Sequence, residues 1–304
     1  MWKLDLLHVN VSGPGIPIPE SILKMPLRKK ILFITVLILL AAITYNFLYG
    51  RLVPFSPIII GFEKKEFGKA IIYYHKGTDI TKFSTIDSLM NEAEDFHQLK
   101  FKTKVKIFVL NSDKEYTRYT GQKARFVTFP LYGRIFVSGR ARKEYEVGKI
   151  HLLVYLQHEL SHSLLFQNMS LYRSQYYPGW LLEGTATYIA NQRGVDEYLS
   201  KEQAFSKIRE GYFINPDDWS TTLLKPQSKS VKYFPLPNKF MFIYSEFACL
   251  VDDIIKRYGK ERFLLYLTTL LKEKDDKRVF LKIFGIEFKQ YLDEFKNRIR
   301  VNGE

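Results

Sequence analysis

The chain has 304 residues, with 46 Lys and Arg against 32 Asp and Glu for a formal net charge of +14. Apolar residues make up 46% and aromatics 15%, with only 17 Gly and 12 Pro, which excludes a disordered or collagen-like chain and leaves ample material for a core. The single cysteine, Cys249, excludes a disulfide scaffold, a Cys-rich zinc module and a CxxC redox site.

Residues 1–24 contain Gly13, Pro14, Gly15, Pro17 and Pro19 without a sustained period, so an unstructured tail is expected there. From Met25 the chain reads MPLRKK and then a long apolar run, which is how a signal anchor begins; Met25 is therefore expected to be the natural start. Residues 31–49, ILFITVLILLAAITYNFLY, carry no charge and are just long enough to span a bilayer core of roughly 30 Å. Tyr45, Asn46 and Tyr49 suit the interface at its end. Lys24, Arg28, Lys29 and Lys30 precede the run, while only Arg51 follows it closely. The positive-inside rule then keeps residues 1–30 in the cytoplasm and exports everything beyond residue 50. No small-x-small pair closes the run, so the anchor reads as uncleaved.

After a Pro-containing linker over 50–61, one mixed domain is expected over 62–300, with a sheet part (62–144) and a helical part (145–300). Ala70–Tyr74, Val105–Leu110 and Gly133–Ser138 are β-branched or aromatic runs and read as strands. Ser84–Leu99 has helical spacing, with Ile86, Leu89, Ala93 and Phe96 on one face. Ser112, followed three residues later by Glu115, reads as a helix cap. From Tyr145 the pattern is helical, with loops around 170–179 and 211–240. The layout is α+β, a small mixed sheet followed by helices. An exported basic domain invites anionic lipid or wall polymer, but Lys and Glu intermingle along 255–300 as on an ordinary solvated helical face. No nucleic-acid motif is present, and an exported location conflicts with such a partner.

The chemistry sits in the helical part. Residues 158–162 are His-Glu-Leu-Ser-His, an H-E-x-x-H set inside the apolar run HLLVYLQHELSHSLLF. On a helix, positions i and i+4 lie about 40° apart, so His158 and His162 project from one face and can grip one metal ion. Glu159 is displaced around the axis, where it can touch water at the metal without ligating it. Two core histidines beside a buried, unpaired Glu would be a costly alternative. A metzincin would need Gly at 165 and His at 168, where this chain has Leu165 and Asn168. Instead, Trp180-Leu181-Leu182-Glu183-Gly184-Thr185-Ala186-Thr187-Tyr188 follows Pro178-Gly179, a loop-to-helix junction. A Glu183 carboxylate on that second helix would complete a His₂Glu set with an open fourth position, as a catalytic Zn²⁺ requires. Gly184 and Ala186 are small enough to let the helix approach closely. His151 lies seven residues before His158 on nearly the same face and could line a cleft, though a capped or solvent-facing role is the plainer expectation. His75 and His97 have no partner in the sequence pattern and receive no role.

H-E-L-S-H followed by W-L-L-E-G-T-A resembles the gluzincin metallopeptidases, the clan of thermolysin and aminopeptidase N, and above all their peptidase MA-like branch. The resemblance covers roughly residues 62–300 and is carried chiefly by the two metal motifs. It implies a zinc-dependent hydrolase of peptide bonds, endopeptidase or aminopeptidase-like, with His158, His162 and Glu183 as ligands and Glu159 as general base. It further implies that Arg134–Ser138 is the edge strand along which an extended substrate lies, making Ile135, Phe136 and Val137 substrate-binding. Phe242-Ile243-Tyr244-Ser245 resembles the segment in which some gluzincins present a tyrosine, so Tyr244 is the candidate for stabilising the oxyanion. One position departs: thermolysin-like enzymes place an Asp four residues after the ligand Glu to orient a histidine, and here that position is Thr187. A catalytically silent zinc module that binds exported peptides or proteins is the alternative; the intact Glu159 favours the enzyme.

Overall fold

The computed structural model describes residues 26–220 and 227–302; the expectations for the tail before Met25 lie outside them. The first helix, α1 (Leu27–Tyr49), buries no residue, and its mean hydropathy reaches 2.5. It is long and apolar enough to cross a membrane. The chain turns sharply at its end, where Gly50 and Leu52 both donate backbone N–H groups to Asn46 O. Part of the segment read as a linker is packed: Val53, Pro54 and Ser56 are buried, while Pro57 and Ile58 are exposed. Val53 is buried among Phe108, Leu110, Tyr116, Tyr119 and Phe136, and its carbonyl accepts from Arg134 Nη1 at 3.2 Å. An aliphatic residue beside an aromatic sheet face gains more from burial than from serving as a flexible spacer.

Among the described residues, five strands form one mixed sheet in the order β1-β2-β3-β5-β4: β1 (Glu63–Phe67), β2 (Ala70–Tyr74), β3 (Val105–Val109), β4 (Phe126–Phe129) and β5 (Arg134–Val137). β2, β3 and β5 run parallel to one another, while β1 and β4 are antiparallel to their neighbours. Side-chain alternation divides the sheet between two cores. Ile72, Ile107, Ile135 and Val137 join Ile86 and Met90 of α2 (Ile86–His97) in one cluster, whereas Phe108 and Phe136 point the other way and stack at 4.5 Å. α3 (Asp113–Thr120) is capped as its sequence suggests, Glu115 N–H donating to Ser112 Oγ at 3.2 Å. The Glu115 carboxylate does not close the capping box; it reaches His75 instead, 2.9 Å away.

After α4 (Gly139–Glu146) comes α5 (Leu152–Asn168), whose Leu152, Leu156 and Leu160 pack on the sheet. A short turn of helix, α6 (Leu171–Ser174), leads to α7 (Gly179–Ile189), followed by α8 (Lys201–Arg209) and α9 (Lys229–Lys232). α10 (Lys239–Tyr258), α11 (Lys260–Thr269), α12 (Asp276–Phe284) and α13 (Phe288–Asn302) complete the helical half. Its core holds Trp180, Leu181, Phe247, Phe263, Phe280 and Tyr291. α7 and α10 touch backbone to backbone at Gly184, where a Cβ would lie 2.7 Å from the carbonyl oxygen of Phe247. Neither helix can retreat without opening the core. Gly184→Ala should therefore lower stability by about 1–3 kcal/mol in urea melts, as overpacking does; an unchanged midpoint would mean that the two helices are loosely docked.

Candidate metal centre

α5 carries His158, Glu159 and His162, and α7 crosses it to deliver Glu183. His158 Nε2 lies 2.9 Å from His162 Nε2, and Glu183 Oε2 lies 3.3 Å and 3.4 Å from the two nitrogens. The three donor atoms sit within 4.8 Å of one another and could hold a metal ion. Donors on a tetrahedral ion with bonds of about 2.0–2.1 Å would stand about 3.3 Å apart, close to these spacings. The set is buried without being sealed: His158, His162 and Glu183 keep 5%, 7% and 6% of their surface exposed, so a small ion or water can reach it.

The electrostatics fit a cation site. Burial alone would raise the Glu183 carboxyl, but the facing imidazoles of His162 and His158 outweigh it and hold the group down at about 2. The same contact raises His162, against the effect of its own burial. An anionic carboxylate and two imidazole nitrogens thus converge on one point, the donor chemistry that suits Zn²⁺. On the far side of the first histidine, His158 Nδ1 is 2.9 Å from Gln192 Oε1. Thr187, at the position where thermolysin-like enzymes carry an Asp, has a buried hydroxyl with no hydrogen-bond partner.

Glu159 lies beside the cluster, and its Oε2 accepts a hydrogen bond from Thr128 Oγ1 at 2.6 Å. Thr128 belongs to β4, and here the structure corrects the sequence-based expectation. β5 is not an edge strand: it lies between β3 and β4, and Ile135, Phe136 and Val137 are fully buried and paired on both sides. They cannot line a substrate. The strand at the sheet edge beside α5 is β4, in which Phe126 is buried and the other three residues are half-buried. The run Phe-Val-Thr-Phe is β-forming in composition, but its four residues before Pro130 give too short a pattern to stand out.

Tyr244, on α10, is brought to the centre, its ring 6.1 Å from that of His158 and 5.5 Å from that of Trp219. Burial and the neighbouring Glu183 charge push its phenol well up, so it remains a protonated donor. Trp219, inside a stretch read only as loop, packs edge-on against the Tyr244 ring, a contact the sequence pattern does not reveal. The other histidines among the described residues stay apart. His151 is mostly exposed at the start of α5 and pairs with Asp196 at 2.7 Å. His97 is buried against Ser161 Oγ at 2.9 Å, and burial pushes it down to about 3. His75 packs at a tilt against Phe62 and pairs with Glu115, lining a separate open cavity of about 1120 Å³.

Compared with models of known protein families and with curated proteins, the chain matches none.

Proposed function

We propose that this chain is a membrane-anchored zinc metallopeptidase of gluzincin type, its α+β domain being zincin-like. The observation that carries the reading is the convergence of the helices α5 and α7, which puts His158, His162 and Glu183 within bonding distance of one point and Glu159 alongside it. The ion those three residues would hold supplies Lewis acidity, acidifying a water and polarising a carbonyl. The chain's own groups do the rest. Thr128 fixes Glu159 Oε2, leaving Oε1 to take a proton from water and pass it to the departing nitrogen. Tyr244 donates its phenolic proton toward the developing oxyanion. The free edge of β4 offers backbone N–H and C=O groups to an extended peptide, the ordinary way a sheet edge takes up a strand.

The test is cleavage of unfolded casein and a peptide library by the purified chain, with and without a chelator. Cleavage that stops with chelator and returns with zinc is expected. A zinc-loaded chain that cleaves nothing would leave a binding module in its place. Tyr244→Phe keeps the ring and removes the donor, and should lower kcat by about 10²–10³-fold with little change in KM, the scale of losing one oxyanion donor. Equal kcat would exclude Tyr244 from the reaction.

α1 is proposed as an uncleaved anchor with its basic end in the cytoplasm. Protease added to intact spheroplasts should then digest residues 60–300 and spare the short N-terminus. Protection of the large domain would reverse that orientation.

A further inference from the structure

Thr187 leaves a question that the fold answers from another position. A metal-binding imidazole ordinarily has its second nitrogen hydrogen-bonded, because that bond decides which nitrogen carries the proton and which the lone pair; His162 Nδ1 is buried without such a partner, and His158 Nδ1 has one. α7 ends at Ile189, and Asn191 then adopts a left-handed backbone with φ 48°. That turn folds Gln192 back under the helix, where its N–H donates to Thr187 O at 3.1 Å. The Gln192 side chain is fully buried, and its Oε1 stands 2.9 Å from His158 Nδ1. Its Nε2 is buried with no partner, so the one hydrogen bond this amide makes is the one to the histidine.

We propose that Gln192 is the positioning residue for His158, performing through a neutral amide the task that Thr187, whose hydroxyl has no partner, does not. An acceptor at Nδ1 holds the proton on that nitrogen and leaves the Nε2 lone pair aimed at His162 and Glu183. Turned the other way, the amide would donate to Nδ1 and force the proton onto Nε2, which would block ligation. The neutral amide orients the ring without adding a negative charge beside Glu183 and Glu159, so the cation held here would keep more of its Lewis acidity than beside a carboxylate. This inference rests on the metal reading given above, and its test separates the two.

Zinc affinity of the full chain is measured by competition with a chromogenic chelator, and the visible spectrum is recorded with Co²⁺ in place of zinc. Gln192→Met keeps length and volume but removes the acceptor; Gln192→Glu keeps an acceptor oxygen. Gln192→Met should bind zinc about 10–100-fold more weakly and shift the Co²⁺ bands, the usual consequence of losing such an outer partner. Gln192→Glu should bind within a few-fold of the parent or more tightly. Equal zinc affinity and an unshifted spectrum for Gln192→Met would overturn the inference while leaving the metal centre standing. Should Gln192→Met fail to fold, Gln192→Glu decides alone: a loss beyond about 10-fold would overturn the inference. A parent chain that takes up no zinc would remove the metal reading itself.

Discussion

Replacing Glu159 with Gln should leave the protein folded and zinc-loaded yet lower peptide cleavage by about 10²–10⁴-fold. The substitution preserves size, touches none of the three proposed ligands, and keeps an oxygen that can still accept from Thr128 Oγ1. What it removes is the ability to take a proton. A lost hydrogen bond alone would cost far less, since net contributions of about 0.5–1.5 kcal/mol correspond to roughly tenfold or less. The check is kcat/KM of metal-replete protein measured beside its zinc content. Activity within a few-fold of the parent would show that Glu159 is not the base.

Glu183→Ala should abolish tight zinc binding, and with it activity, at a cost well beyond the about 10–100-fold typical of an outer partner. Among the described residues the Glu183 carboxylate is the one ion-paired with both imidazoles; without it, two histidine nitrogens 2.9 Å apart would have to hold a dication with no ligating anion. His158→Ala should behave alike. The substitution is expected to be tolerated by the fold, because Glu183 itself is held by the histidines and the α7–α10 contact is made next to it by Gly184. Chelator competition and elemental analysis read the effect directly. Full zinc content in both variants would mean that the ligands lie elsewhere.

What the sequence discloses about this molecule is mostly what is local. The i, i+4 spacing of His158 and His162 is a property of one helix, and the β-branched runs at Ala70–Tyr74 and Val105–Val109 are properties of single strands. β1 escapes such a reading because Glu-Lys-Lys-Glu-Phe is almost wholly exposed and pairs only through its backbone with β2. Strand order escapes it too. That β5 slips between β3 and β4 depends on hydrogen bonds between residues far apart in the chain, so Ile135, Phe136 and Val137 look from the sequence as ready to serve as an edge as Thr128 does. Gln192 is hidden for the same reason: a lone amide after a helix has no period or motif, and only the left-handed turn at Asn191 brings it to His158.

The central claim is that His158, His162 and Glu183 together hold one zinc ion. Anomalous scattering from crystals of the zinc-loaded chain, recorded on both sides of the zinc absorption edge, tests it most directly. The account predicts a single peak at about 2.0–2.2 Å from His158 Nε2, His162 Nε2 and a Glu183 carboxylate oxygen. A peak at another set of side chains, or none at these three in zinc-saturated crystals, would contradict it.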